Sequence, residues 1–284
     1  MTDHQRPTPP FTLPDARLLL ELRDLAERVA REVGALVRSM REEAVEVAAT
    51  KSSATDVVTR ADLAAEARVA ELLRLARPDD GLLGEEGART AGSSGITWVV
   101  DPIDGTVNYL YGRREYAVSV AAVLGDPADV EAWRPIAGCV HAPELGTTYR
   151  AAAGLGAELD GRRLVMGEPP ELAGTLLGTG FSYDAGVRAE QGDLVARLLP
   201  RIRDLRRAGA GALDLCDVAA GRLDAHLERG LNPWDVAAAE LVVREAGGVV
   251  HHYPLGVDGR RVTMAARAPL DAALAEAAGL SRGV

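Results

Sequence analysis

From Leu18 the chain repeats apolar side chains at three- and four-residue steps: Leu18, Leu22, Leu25, Val29, Val33, Leu36 and Met40. Arg and Glu fill the positions between them. That spacing predicts a long amphipathic helix with one buried stripe and a solvated charged face. Residues 51–59 lack helical periodicity and read as a polar loop. A second helix is predicted from about Ala61 to Ala76, stopped by Pro78 and the Asp79-Asp80-Gly81 turn. The period then changes. Short apolar or β-branched runs at 82–83, 96–100, 116–124, 136–141, 147–152 and 157–159 read as strands, and Asp160-Gly161 turns the last into 162–165 as a hairpin. Successive strands on short turns predict an antiparallel sheet, making an α+β domain over residues 15–168.

Residues 166–174, with Pro169-Pro170, read as the connection to a second domain spanning 169–284. Here strand and helix alternate. Strands are expected at 176–180, 202–206, 223–227, 249–252 and 262–265, with His251-His252 at a strand end. Helices are expected at 186–199, from the Gly209-Ala210-Gly211 turn to Gly221, at 234–245 and at the C-terminus. Such alternation predicts a mostly parallel or mixed sheet covered by helices, an α/β domain. Residues 1–14, polar and holding Pro7, Pro9, Pro10 and Pro14, read as a disordered leader.

Candidate chemistry concentrates in Trp98-Val99-Val100-Asp101-Pro102-Ile103-Asp104-Gly105-Thr106-Val107-Asn108. Asp101 leaves the predicted strand, and Pro102 holds it extended. Asp104-Gly105-Thr106 reads as a tight turn opening a short helix whose first N–H groups are bare. Glu85-Glu86 follow a second apolar run and a Gly, so two strand ends deliver carboxylates. Carboxylates and carbonyls suit Mg²⁺, and helix N-termini attract phosphate. The plainer alternative is that Asp101 ends a strand and Asp104 caps a helix. The spacing of Asp101 and Asp104 does not fit phosphatases built on Asp-x-Asp-Gly-Thr, whose acids flank one residue. An EF-hand loop, with ligands alternating from its first Asp, does not fit either.

Composition narrows the choice of partner. A formal charge of −10 argues against nucleic acid, and an acidic protein that binds a phosphate anion needs cations, which bound metal supplies. Aromatics make up only 4%, so the core must be built from Leu, Val and Ala. Cys139 and Cys216 form no CxxC pair and read as buried, reduced thiols of a cytoplasmic protein. No signal peptide or membrane span is visible in the sequence.

The Asp-Pro-Ile-Asp-Gly-Thr-x-Asn segment after a Trp-containing strand resembles the inositol monophosphatase family of Mg²⁺-dependent phosphatases. Three other segments match the family in order: Lys51-Ser52-Ser53-Ala54-Thr55-Asp56-Val57-Val58-Thr59, Gly84-Glu85-Glu86-Gly87, and Trp234-Asp235-Val236-Ala237 leading to Glu245-Ala246-Gly247-Gly248. The resemblance implies a layered αβαβα sandwich with an antiparallel-sheet N-terminal domain and a mixed-sheet C-terminal domain. It implies one Mg²⁺ on Glu85, Asp101 and the Ile103 carbonyl, a second on Asp101, Asp104 and Asp235, and a third, weaker one through Glu85 and water. Glu85 and Thr106 would orient the attacking water, Asp56 would accept from Thr106, and Lys51 would lie at the rim. Gly105 and Thr106 would receive phosphate oxygens through their N–H groups. Asp104, Gly209, Ala210, Gly211 and Glu228 would contact the substrate. Taken alone, Asp235 is equally a helix N-terminal charge and Glu228 a solvated acid at a strand end.

The activity implied is hydrolysis of a small phosphate monoester, most simply inositol monophosphate, without a covalent intermediate. Homodimerisation and lithium sensitivity come with the resemblance. Fructose-1,6-bisphosphate, histidinol phosphate and adenosine 3′,5′-bisphosphate are alternative substrates on the same fold, and a non-enzymatic metal- or phosphate-binding module is a further alternative. Two departures bear on substrate: Ala210 stands where the family commonly has Ser or Thr, and Arg113-Arg114-Glu115 replaces an apolar residue and Pro, which could favour a second phosphate.

Overall fold

The stripe that begins at Leu18 becomes α1 (Ala16–Glu43), with Leu22, Leu25, Val29, Val33 and Val37 buried. The computed structural model describes residues 11–43, 47–50, 57–254 and 261–280, so Lys51, Asp56 and most of the leader lie outside the described residues. The inner end of the leader meets the fold, because Leu13 packs on the main core. The expected polar loop at 51–59 ends in a strand, β2 (Val57–Thr59), which pairs antiparallel with β1 (Val47–Thr50) before the loop. Val57-Val58-Thr59 is β-branched throughout, which favours extended backbone. Thr59 then caps α2 (Arg60–Ala76) in a reciprocal box with Asp62.

The first sheet collects β3 (Gly81–Gly84), β4 (Arg89–Thr90), β5 (Ile96–Asp104), then after α3 (Thr106–Leu110) β6 (Ala117–Gly125), β7 (Trp133–Ala142), β8 (Thr147–Ala152), β9 (Gly156–Leu159) and β10 (Arg162–Leu164). Its order is β10-β9-β8-β7-β6-β5-β3-β4. It is antiparallel as expected except at one place. The pair β3–β5 is parallel, because β4 and the chain after it return across the sheet before β5 begins. That exception sets the C-terminal ends of β3 and β5 side by side. The β9–β10 turn is the expected one: Asp160 and Gly161 both take positive φ, 50° and 78°, as a two-residue hairpin turn requires.

Downstream lie β11 (Leu176–Thr179), α4 (Ala185–Leu198), β12 (Asp204–Arg206), α5 (Gly211–Ala219), β13 (Ala225–Arg229), α6 (Pro233–Glu245), β14 (Val249–Pro254), β15 (Arg261–Ala266) and α7 (Leu270–Ala278). The second sheet runs β12-β11-β13-β15-β14 and is mixed, parallel over its first three strands and antiparallel over the rest. His251 lies inside β14 rather than at its end, with Nε2 at 3.0 Å from Asp271.

Helices α1 and α2 cover one face of the first sheet, and α5 and α6 fill the space between the two sheets. α4 and α7 close the outer face of the second sheet, with Leu198 and Leu274 in its core beside Leu177 and Leu227. The result is a layered αβαβα sandwich. Central strands β5, β6 and β7 are buried along most of their length because helices cover both faces. α6 can lie close because its contact face is small: a Cβ on Gly138 of β7 would stand 3.0 Å from Ala238. Cys139 and Cys216 are free and buried. Among the described residues no helix is long and apolar enough to cross a membrane.

Candidate metal centre and active site

Acidic residues meet where β3, β5 and α6 end or begin. β5 does not stop at Asp101 as the sequence suggests; it runs on to Asp104 through a register shift. Asp101 pairs with Ser119 and Asp104 with Ala117, so three steps on β5 oppose two on β6. Residues three apart on a regular strand face opposite sides, and a bulge of one residue brings both carboxylates to the same side. Glu85 arrives beside them because β3 is parallel to β5, and its N–H donates to Val100 O at 3.2 Å. Asp235 comes from the first turn of α6, where its Oδ2 accepts from Asn232 N–H at 2.7 Å. Carboxylate oxygens of Asp101, Asp104 and Asp235 all lie within 4.8 Å of one another.

Such a cluster is electrostatically unfavourable as it stands. Burial, then the charges of Glu85, Asp104 and Asp235, push the Asp101 carboxyl well above its usual range. Burial and Asp235 do the same to Asp104. Asp235 is pushed up to about 7 by burial and Glu85. Carboxylates at about 4 Å repel by roughly 4 kcal/mol per pair at an effective dielectric of 20, so the group must take up protons or cations. Desolvated hard oxygen donors with a backbone carbonyl nearby fit Mg²⁺.

Beside the acids, Gly105 opens α3 with φ 93°, and a side chain there would press on Glu115 O and Gly209 O at 3.1 Å. Only glycine serves both demands. The Thr106 hydroxyl lies 3.1 Å from Asp62 Oδ1 and 3.2 Å from Ile103 O. The role that the resemblance gives Asp56 therefore falls on Asp62, which is buried and fixed by Thr59 N–H at 2.7 Å. Asp62 escaped the sequence reading, although Thr59-Arg60-Ala61-Asp62 has the capping-box spacing that could have revealed it. Glu66, one turn later on α2, escaped as well. It accepts from Glu86 N–H and Ala88 N–H, both at 2.7 Å, and so holds the turn that presents Glu85.

The expected substrate contacts assemble at the start of α5. Asp104 accepts from Gly211, Ala212 and Leu213 N–H at 3.0, 2.8 and 3.4 Å. It thus caps a helix distant in sequence, whose own N-cap, Ala210, offers no side-chain oxygen. Asn108 ties Glu115 O and Ala208 O together at 2.6 and 2.8 Å, which fixes the Gly209 turn against α3. Glu228, half-buried on β13, adds its charge to the repulsion felt by Asp104 and Asp235. Arg113 lies 3.3 Å from Glu115, and Arg114 donates to Glu144 O at 2.7 Å.

A profile of the inositol monophosphatase family matches residues 18–280. The chain belongs to that family. Inositol-1-monophosphatase SuhB of Mycobacterium tuberculosis is 42% identical over 266 residues, covering 87% of this chain and 89% of that protein. Nus factor SuhB of Escherichia coli is 37% identical over 235 residues, covering 82% of this chain and 85% of that protein. The crystal structure of extragenic suppressor protein suhB from Bartonella henselae superposes with a TM-score of 0.80 at 30% identity, covering 92% of this chain and 98% of that one. In this member of the inositol monophosphatase family, Glu85, Asp101, Asp104, Asp235, Gly105 and Thr106 converge from elements far apart in sequence. Family membership makes the chain a phosphatase with an acidic cluster able to hold metal.

Proposed function

We propose that the protein hydrolyses inositol monophosphate to inositol and phosphate in a Mg²⁺-dependent reaction. The observation that carries this reading is the convergence of three carboxylates within 4.8 Å beside the Gly105-Thr106 helix start. Glu85, Asp101, the Ile103 carbonyl, Asp104 and Asp235 would hold the cations. Bound Mg²⁺ supplies positive charge toward phosphate oxygens and lowers the pKa of water. The Gly105 and Thr106 N–H groups receive phosphate oxygens at the bare end of α3. Asp62 accepts the Thr106 proton, which leaves the Thr106 oxygen free to accept a hydrogen from water oriented by Glu85. Glu228 and the Gly209-Ala210-Gly211 turn face the hydroxyl-bearing part of the substrate.

The test is phosphate release from inositol 1-phosphate, fructose 1,6-bisphosphate, histidinol phosphate and adenosine 3′,5′-bisphosphate, with chelator and with Mg²⁺. Inositol 1-phosphate is expected to show the highest kcat/KM, turnover should vanish in chelator, and about millimolar Mg²⁺ should restore it. Full turnover in chelator would remove the metal mechanism. Preference for a bisphosphate would move the substrate elsewhere.

A further inference from the structure

Two residues before Glu228, and so on the same face of β13, stands His226, fully buried. Its Nε2 lies 3.2 Å from Glu228 Oε2, and Asp214 of α5 is the other acid acting on the ring. Among the described residues neither ring nitrogen has a hydrogen-bond partner, and the approach of Nε2 to Glu228 is a charge contact. The neighbouring strand is cut away to admit both side chains. Gly178 is in register with His226, and a Cβ there would stand 2.8 Å from Nδ1. A Cβ on Gly180 would overlap the Glu228 carboxylate. A buried imidazole is costly unless compensated. Here the compensation is the Glu228 carboxylate, whose charge Asp104 and Asp235 also feel.

We propose that His226 is a positioning residue that anchors Glu228 Oε2 through its contact with the Nε2 edge of the ring, leaving Glu228 Oε1 to accept from a substrate hydroxyl and so selecting polyol monophosphates over simple phosphate esters. The inference rests on the phosphatase reading above and deepens it. Burial opposes protonation of His226, but Glu228 and Asp214 outweigh it and raise its pKa, which agrees with an attraction between the ring and the Glu228 carboxylate.

The experiment compares kcat/KM on inositol 1-phosphate and p-nitrophenyl phosphate for the full chain with Mg²⁺. His226→Phe should lower the ratio of the two by about tenfold, mainly through KM for the polyol. His226→Gln, which keeps a donor, should recover it to within about threefold. His226→Phe combined with Glu228→Ala should fall no further than Glu228→Ala alone, because the two act through one contact. An unchanged ratio in His226→Phe, or additive losses in the pair, would overturn the proposal. A second arm needs neither turnover nor the Phe variant: the His226 imidazole ¹⁵N resonances should move when Glu228 is replaced by Gln. No movement overturns the anchor. Movement in a protein with no preference for the polyol sustains the anchor and sinks the inositol reading instead.

Discussion

Asp104 holds two positions at once, a member of the acidic cluster and the cap of α5. Its carboxylate accepts three N–H groups from that helix, yet burial and Asp235 keep its ionised form unfavourable. The two effects separate by substitution. Asp104→Asn keeps an oxygen for α5 and removes the repulsion, so in chelator it should melt no lower than wild type. Asp104→Ala loses the cap and should cost about 0.5–2 kcal/mol. Both should lose Mg²⁺-dependent phosphate release. Thermal melts in chelator decide it: equal melting of the two variants would mean that Asp104 does not cap α5. At this scale the sequence revealed the acids of Asp101-Pro102-Ile103-Asp104 through their spacing, because a bulge and a Gly turn are local. It did not reveal Asp62, whose partner Thr106 lies 44 residues away, nor His226, whose room depends on Gly178 of another strand.

Elements place the acids that residues alone cannot. The predicted helices and strands recur near their expected bounds because each follows a local period. The parallel β3–β5 pair does not follow from local pattern, since the successive strands expected at 82–83 and 96–100 read as antiparallel neighbours, and the two-residue β4 between them carries no apolar run. The burial of α5 between the sheets had a signal: apart from Asp214 and Asp217, three residues apart on one side, its residues are apolar or small, with Ala212, Leu213, Leu215, Cys216, Val218 and Ala219 all buried. α6 is the element on which the metal centre leans most. It carries Asp235 in its first turn, where Trp234 O also accepts from Ser119 of β6 at 3.2 Å, and it lies against Gly138 through Ala238. Gly138→Val should therefore push α6 off β7, cost about 1–3 kcal/mol and raise the Mg²⁺ concentration for half-maximal activity. Lower melting with an unchanged Mg²⁺ requirement would show that the α6 contact does not set Asp235.

The whole molecule carries its formal charge of −10 partly as a buried acidic centre, and its stability should record this as a function of pH. Asp101, Asp104 and Asp235 all have carboxyls raised from the ordinary 3.8, Asp235 to about 7, and Asp214 is likewise raised to about 7 by burial. The folded chain therefore holds protons at these groups that the unfolded chain has released. Their contribution is full below the ordinary value and is lost as pH rises through the folded one, near 7 for Asp235 and Asp214. Two other groups act in the opposite direction. Burial, with Arg31, lowers His141 from 6.5 to about 4, so the folded state loses ground as pH falls below 6.5 and the unfolded imidazole charges first. Glu240 lies low, at about 2, because Arg244 and His252 outweigh its burial, and its contribution fades as pH falls below the ordinary 4.5. In chelator the melting temperature should thus peak on the acid side of neutrality and decline as pH rises through 7. Mg²⁺ should remove the part of the alkaline decline that Asp101, Asp104 and Asp235 cause, while leaving the part due to Asp214 and the acid decline in place, because Asp214, His141 and Glu240 lie outside the acidic cluster. Binding to the folded state alone also adds RT ln(1 + [Mg²⁺]/Kd), so the gain should grow with Mg²⁺ concentration. The measurement is a set of melts from pH 4 to 9 with chelator or Mg²⁺. A stability curve in chelator that keeps rising through pH 7, or a Mg²⁺ effect of the same size at pH 5 and pH 8, would show that the clustered acids are not what the metal relieves.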